Sequence, residues 1–257
     1  MSESLLITRD GNIATVALNR PDKLNALERA LWAAVGAAFR ELARDESLRC
    51  VILRGEGRAF GAGADIAEFP KVRASSAQAR EYAALMNEAM AAVASCPHPT
   101  VAQISGACVG GGLELAICCD LRIAGASAAF GVPIQRIAVT MGVPEISALI
   151  DLVGRGHALE ILLEGRVFGA ADALRMGLVT RVVPDDRVAE EALGSARRIA
   201  AGAPLVHRWH KQISRRLAHA TPSEAEADEA YQTFDSEDFK EGVAAFLAKR
   251  PPAFRGR

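Results

Sequence analysis

Short apolar runs alternate along this chain with longer stretches whose apolar positions recur every three to four residues, a pattern of strands alternating with amphipathic helices. Residues 5–8 and 13–18 predict two strands around an Asp10-Gly11 turn, a hairpin signal, after which Asn19-Arg20-Pro21 closes that sheet edge. Residues 51–53, 101–104, 121–124 and 178–183 predict further strands. Helical periodicity predicts helices over 27–45, an Ala-rich 76–95, 149–163, 170–176 and 187–201. Strand alternating with helix indicates an α/β core over residues 1–202, followed by a C-terminal helical region over 203–257.

Composition agrees with a globular enzyme. In 257 residues, half of them hydrophobic, there is enough apolar side chain for a substantial core and no disorder signature. A formal charge of −1 gives no reason to expect nucleic acid or an anionic membrane as partner. No apolar stretch reaches spanning length, and the N-terminus lacks a basic segment followed by an apolar one, so the expectation is a cytoplasmic location with no membrane partner. Five cysteines, an odd number in apolar settings, argue against a disulfide scaffold. Cys118 and Cys119 read as buried residues of the helix after the triple glycine, His207 and His210 as surface histidines, and no metal is expected.

The chemistry concentrates in two glycine-containing segments, 58–66 (RAFGAGADI) and 106–120 (GACVGGGLELAICCD), each after a predicted strand. Their loops are expected to leave the sheet on the same side and converge. Gly110, Gly111 and Gly112 let backbone N–H groups approach a ligand with no Cβ in the way, and the helix they open adds partial positive charge behind them. Two such groups make an oxyanion hole, which stabilises charge developing on a carbonyl oxygen. Glu114, three residues beyond Gly111, faces the same space and can act as acid or base.

Together with residues 19–27 (NRPDKLNAL) and 237–257 (EDFKEGVAAFLAKRPPAFRGR), these loops resemble the enoyl-CoA hydratase/isomerase (crotonase) superfamily from about Leu5 to the C-terminus. The resemblance implies a spiral of ββα turns and a fatty-acid-type acyl-CoA thioester as substrate. Coenzyme A is then part of the substrate, with no separate cofactor. By position in the motifs the oxyanion-hole N–H groups belong to Ala64 and Gly111, with Ala62 and Gly110 beside them. Asp65 and Ile66 follow the first, and Asp65 is expected to tie down its loop by hydrogen bonds. Lys23 and Leu24 match positions lining the coenzyme A channel. Phe246 and Lys249, at helical spacing, match residues that close that site, sometimes from a neighbouring subunit, which implies a homotrimer or a dimer of trimers.

The chain also departs from the hydratase pattern. Hydratases resembling it carry a second glutamate in an FGxPE segment, whereas residues 130–134 read FGVPI, so Ile134 stands where that glutamate would be. Pro144, Glu145 and Ile146 replace a common Gly-Gly-Thr run, while Gly142, which begins a helix beside the acyl chain in relatives, is retained. Glu145 reads first as an acidic residue complementing a helix N-terminus. Its alternative reading is a replacement carboxylate, with Gln135 and Arg136 as other polar groups beside the site. The implied activity is that of an enoyl-CoA hydratase-like lyase. The alternatives are another crotonase-type reaction, such as decarboxylation or thioester hydrolysis, or a non-catalytic acyl-CoA binding subunit. Ala62, Ala67, Ala83 and Ala84 are candidate walls of the acyl pocket.

Overall fold

The computed structural model describes residues 4–217, 223 and 229–257. Strands β1 (Leu5–Asp10) and β2 (Ile13–Leu18) pair antiparallel with Asp10 opposite Ile13. The turn residues are therefore Gly11 and Asn12 rather than Asp10 and Gly11, and Gly11 takes the left-handed conformation, φ +58°. Strand β2 is no edge, because β3 (Cys50–Gly55) lies parallel on its other side. Next come β4 (Thr100–Ile104), β6 (Leu121–Gly125) and β9 (Arg181–Val183), all parallel, giving a six-stranded sheet in the order β1-β2-β3-β4-β6-β9.

Both faces of this sheet are buried, as parallel strands require. Residues of β3 alternate between two clusters. Val51 and Leu53 join the large core under α1 (Arg29–Leu42) and α3 (Ser76–Ser95), whereas Cys50 and Ile52 join Ala192 and Ala196 of α7 (Val188–Ala200). In α1 the apolar positions Leu31, Trp32, Val35, Phe39 and Leu42 form one buried stripe, so the helix runs only over 29–42 of the 27–45 expected. Ser75 caps α3, its hydroxyl accepting from the Gln78 N–H at 3.3 Å.

A second, three-stranded sheet of β5 (Ala107–Val109), β7 (Ala129–Gly131) and β8 (Phe168–Gly169) was not expected from the sequence, its strands being too short to show a period. Helix α4 (Gly111–Ile117) ends before Cys118 and Cys119, which lie beyond it. Helix α5 (Val143–Glu164) starts six residues earlier than the apolar run at 149 and is kinked at Gly154, φ +74°. The late strand β9 is confined to 181–183 because Leu178 and Val179 turn inward into the core after α6 (Ala170–Arg175).

Beyond residue 203 stand α8 (Pro204–Leu217), a 3-10 segment (Glu229–Asp235) and α9 (Glu237–Leu247). The expectation of near-continuous helix falls at 218–222 and 224–228 outside the described residues, and it fails at 248–257, which are not helical. That tail folds back: the buried Asp238 carboxylate accepts from the Arg255 and Gly256 N–H groups at 2.7 and 2.9 Å. Helix α8 is tied to the core by Lys211 and Asp120, 2.7 Å apart. His207 is half-buried rather than on the surface, and burial lowers its pKa. Among the described residues no helix is long and apolar enough to cross a membrane, and no cluster of side chains could hold a metal.

Candidate active site

Because β3 and β4 are parallel neighbours, the loops that follow them leave the same edge of the sheet and meet, as their sequences suggested. The loop after β3 is clamped on both sides. Gly61 bridges Cys108 of β5, its N–H donating to the Ala107 carbonyl and its carbonyl accepting from the Val109 N–H, each at 2.9 Å. On the other side the Leu27 N–H donates to the Gly63 carbonyl at 2.7 Å and the Asp65 N–H donates to the Leu27 carbonyl at 2.9 Å. Asn25, fully buried, staples the same loop from below: its amide donates to the Glu56 and Ala59 carbonyls at 2.9 and 2.7 Å, and its Oδ1 accepts from the Arg20 N–H at 2.8 Å. To do so it adopts the left-handed conformation, φ +57°.

Gly110, φ +50°, turns the chain from β5 into α4, and Gly112 then packs against Gly61 with no room for a side chain. The result brings Ala64 and Gly111 together, since a methyl group built on Gly111 would lie 3.7 Å from the Ala64 nitrogen. Neither of these two N–H groups is used by a loop, turn or cap hydrogen bond among the described residues. Both residues line one cavity of about 460 Å³, together with Ala62, Ile66, Gly110, Glu114, Ile134 and Gly142.

Glu114 stands in the first turn of α4, only 6% exposed. Burial pushes its pKa up to about 7, and the charge of Glu145 pushes in the same direction while Arg73 opposes both. A carboxylate tuned near neutrality can both take and give a proton at physiological pH. Beside two free N–H donors at a helix start, it can move a proton to or from a carbon next to a carbonyl whose oxygen those donors hold.

Other expected residues fall elsewhere. Asp65 accepts from Arg20 at 3.0 Å and from the Ala67 N–H at 3.2 Å, a loop tie with its pKa lowered chiefly by Arg20. Lys23 and Leu24 sit in and just after a 3-10 turn (Pro21–Lys23) below the loop, outside the cavity wall. Phe246 projects from α9 at 83% exposure, and Lys249 lies past the helix end with φ +51°, so the two do not share a helical face and neither reaches the cavity within one chain. Of the alanines, Ala62 and Ala83 line the cavity and Ala67 and Ala84 do not. Gln135 turns away to donate to the Glu164 carbonyl at 3.1 Å, whereas Arg136 lines the cavity.

Among the lining residues that the sequence reading did not single out are Trp32, Arg73, Arg80 and Met86. Arg73 is held over the Phe69 and Tyr82 rings at 4.6 and 4.9 Å, a placement set by tertiary packing alone. Glu145, which the sequence offered as a candidate, lines the same cavity.

The sequence pattern of the enoyl-CoA hydratase/isomerase family matches residues 8–257. A solved enoyl-CoA hydratase/carnithine racemase of Magnetospirillum magneticum is 49% identical and superposes with a TM-score of 0.98, covering 100% of this chain and 97% of that one. A solved enoyl-CoA hydratase of Bacillus anthracis is 31% identical with a TM-score of 0.92, covering 99% of this chain and 100% of that one. Among curated relatives, the crotonyl-CoA hydratase of Syntrophomonas wolfei is 33% identical over 256 residues, 98% of each chain.

Proposed function

The chain belongs to the enoyl-CoA hydratase/isomerase family and has its crotonase-type α/β fold, and from that premise we propose that it adds water across the α,β double bond of a 2-enoyl-CoA thioester. The observation that carries this reading is Glu114, buried beside the two unused N–H groups of Ala64 and Gly111. In the proposed reaction those N–H groups form the oxyanion hole for the thioester oxygen. As water oxygen bonds to the β carbon, charge moves onto that oxygen, where preorganised donors stabilise it more than they stabilise the uncharged substrate. Glu114 handles a proton of the reaction, and Ile134 lines the acyl cavity where relatives of the hydratase type would place a second glutamate. Coenzyme A enters as part of the substrate.

A second reading, another reaction through the same thioester enolate such as decarboxylation, is favoured by the apolar Ile134 in the cavity wall. Hydration of crotonyl-CoA, followed as loss of the enoyl thioester absorbance, separates the two. The wild-type protein is expected to turn over. If it stays inert while Ile134→Glu gains hydration, the fold and hole are intact and the native reaction is of the second kind.

The same reading includes self-association through the region from residue 203 onward. Phe234, Phe239, Val243, Phe246 and Leu247 are all exposed there, an apolar surface that a lone chain would leave in water. Light scattering on the eluting protein is expected to give three copies of the 27.2 kDa chain, or six. Phe246→Asp should shift the mass toward one copy, and a wild-type chain that elutes as a monomer would remove this part of the proposal.

A further inference from the structure

Glu145 is the third residue of α5, where an acidic side chain ordinarily complements the helix N-terminus. A carboxylate placed there for that purpose lies in water or accepts N–H groups of the first turn. Glu145 is only 3% exposed, and its Oε2 is buried with no hydrogen-bond partner. Such an atom is costly to keep unless something else uses it. The side chain lines the cavity that holds Glu114, and the two carboxylates feel each other's charge. Gly142 leaves the space it occupies, since a Cβ there would come within 2.4 Å of Glu145 Oε2. The charged groups on the remaining walls are Arg73 after α2 (Phe69–Val72), Arg80 on α3 and Arg136 in a 3-10 turn (Ile134–Ile137).

Resting on the hydratase reading above, we infer that Glu145 is the second carboxylate of the site, supplied from the start of α5 instead of from position 134. Hydration needs one group that takes a proton from water and another that gives one to the α carbon, and Glu114 and Glu145 on the wall of one cavity fill these two roles, Glu114 as the base toward water and Glu145 as the acid toward the α carbon. The base takes a proton from water as the water oxygen bonds to the β carbon, and the acid gives its proton to the α carbon as the double bond is lost. H and OH have then been added to the substrate, and passage of the proton from the former base back to the former acid, directly or through solvent, restores both groups for the next cycle.

The test compares wild type, Glu145→Gln and Gly142→Ala in two assays: crotonyl-CoA hydration, and exchange of the α protons of butyryl-CoA into D2O followed by NMR. Glu145→Gln is expected to lower kcat and exchange by about a hundredfold or more while KM stays within about threefold. Its melting temperature should not fall below that of wild type, because the buried Oε2 has no hydrogen-bond partner to lose. Gly142→Ala, which displaces the carboxylate without removing it, should give a smaller loss in both assays. A Glu145→Gln enzyme with wild-type kcat and exchange overturns the inference and leaves the role of Glu114 standing. Loss of activity together with a lowered melting temperature in Glu145→Gln assigns a structural role and also overturns it. If wild type exchanges α protons without hydrating crotonyl-CoA, the hydratase reading fails and the exchange still scores Glu145. Wild type inert in both assays overturns both.

Discussion

Glu114→Gln is expected to abolish turnover, by roughly two to four decades in kcat, while acyl-CoA affinity stays within a few fold of wild type. The amide keeps the shape of the side chain and loses the proton. The cavity walls that would hold the substrate on the proposed reading, Ala62, Ile66, Met86 and Ile134 among them, are untouched by the change. The same substitution should alter how stability depends on pH. Burial raises the pKa of Glu114 from 4.5 to about 7, so the folded chain holds this proton more tightly than the unfolded chain does. Its contribution to stability is complete below pH 4.5 and is lost as pH rises through about 7. The span corresponds to about 3 kcal/mol at 1.36 kcal/mol per pKa unit. Urea denaturation at pH 5 and pH 8 should therefore show wild type losing stability between the two values by more than Glu114→Gln does. Equal pH dependence would mean that Glu114 titrates as an ordinary exposed acid, and unchanged kcat would remove it from the mechanism.

What the sequence could convey about this site, and what it could not, follows from the range of the interactions involved. Strand β2 and helix α3 were legible to the residue, because β2 and α3 carry their own period and α3 its Ser75 cap. The converging loops were legible through Gly110, Gly111 and Gly112, since glycine marks a close approach of backbones wherever the neighbour comes from. Strands β5, β7 and β8, two or three residues each, exist only because they pair with one another across long stretches of chain, so no local pattern could announce them. The apolar period of helix α5 shows only from 149 because its first turn lies outside that period, with Val143 82% exposed, and the start near 144 was marked by Pro144 and Glu145 alone. The state of Glu145 is of the same kind. An acid two residues into a helix after a valine and a proline looks like a dipole complement, and its burial arises from tertiary packing, where α5 meets α4 and the 3-10 turn at 134–137. Asn25 belongs to a motif that pointed toward coenzyme A, yet its hydrogen bonds to the Glu56 and Ala59 carbonyls fasten the 19–27 segment to the loop after β3.

A single methyl group at Gly112 should do the most damage to the fold and the site together. A Cβ there would lie 2.2, 2.7 and 2.9 Å from the O, C and Cα atoms of Gly61, main-chain atoms that cannot rotate away. Gly61 is itself held by its bridge to Cys108, and every residue of α4 is buried, so neither partner has solvent to move into. Relief requires the start of α4 to separate from the 61–64 segment, which is the separation that sets the distance between the Gly111 and Ala64 N–H groups. Overpacking of well-packed interiors costs about 1–3 kcal/mol, and with a main-chain obstacle Gly112→Ala should reach about 3 kcal/mol or more in urea denaturation. If the Ala64 and Gly111 N–H groups act as the proposed oxyanion hole, the fraction that remains folded should lose about two to three decades of kcat, the cost of displacing one donor. Gly156→Ala is the control, because nothing stands within 4 Å of a Cβ there and the position lies inside α5, where alanine favours helix by up to about 1 kcal/mol. If Gly112→Ala unfolds at the wild-type urea midpoint with wild-type kcat, the close packing of the two loops is not what holds the N–H pair in place. If it folds less stably yet turns over normally, the donors are fixed by the clamps at Leu27 and Cys108 alone, and the glycine serves only the packing of the helix.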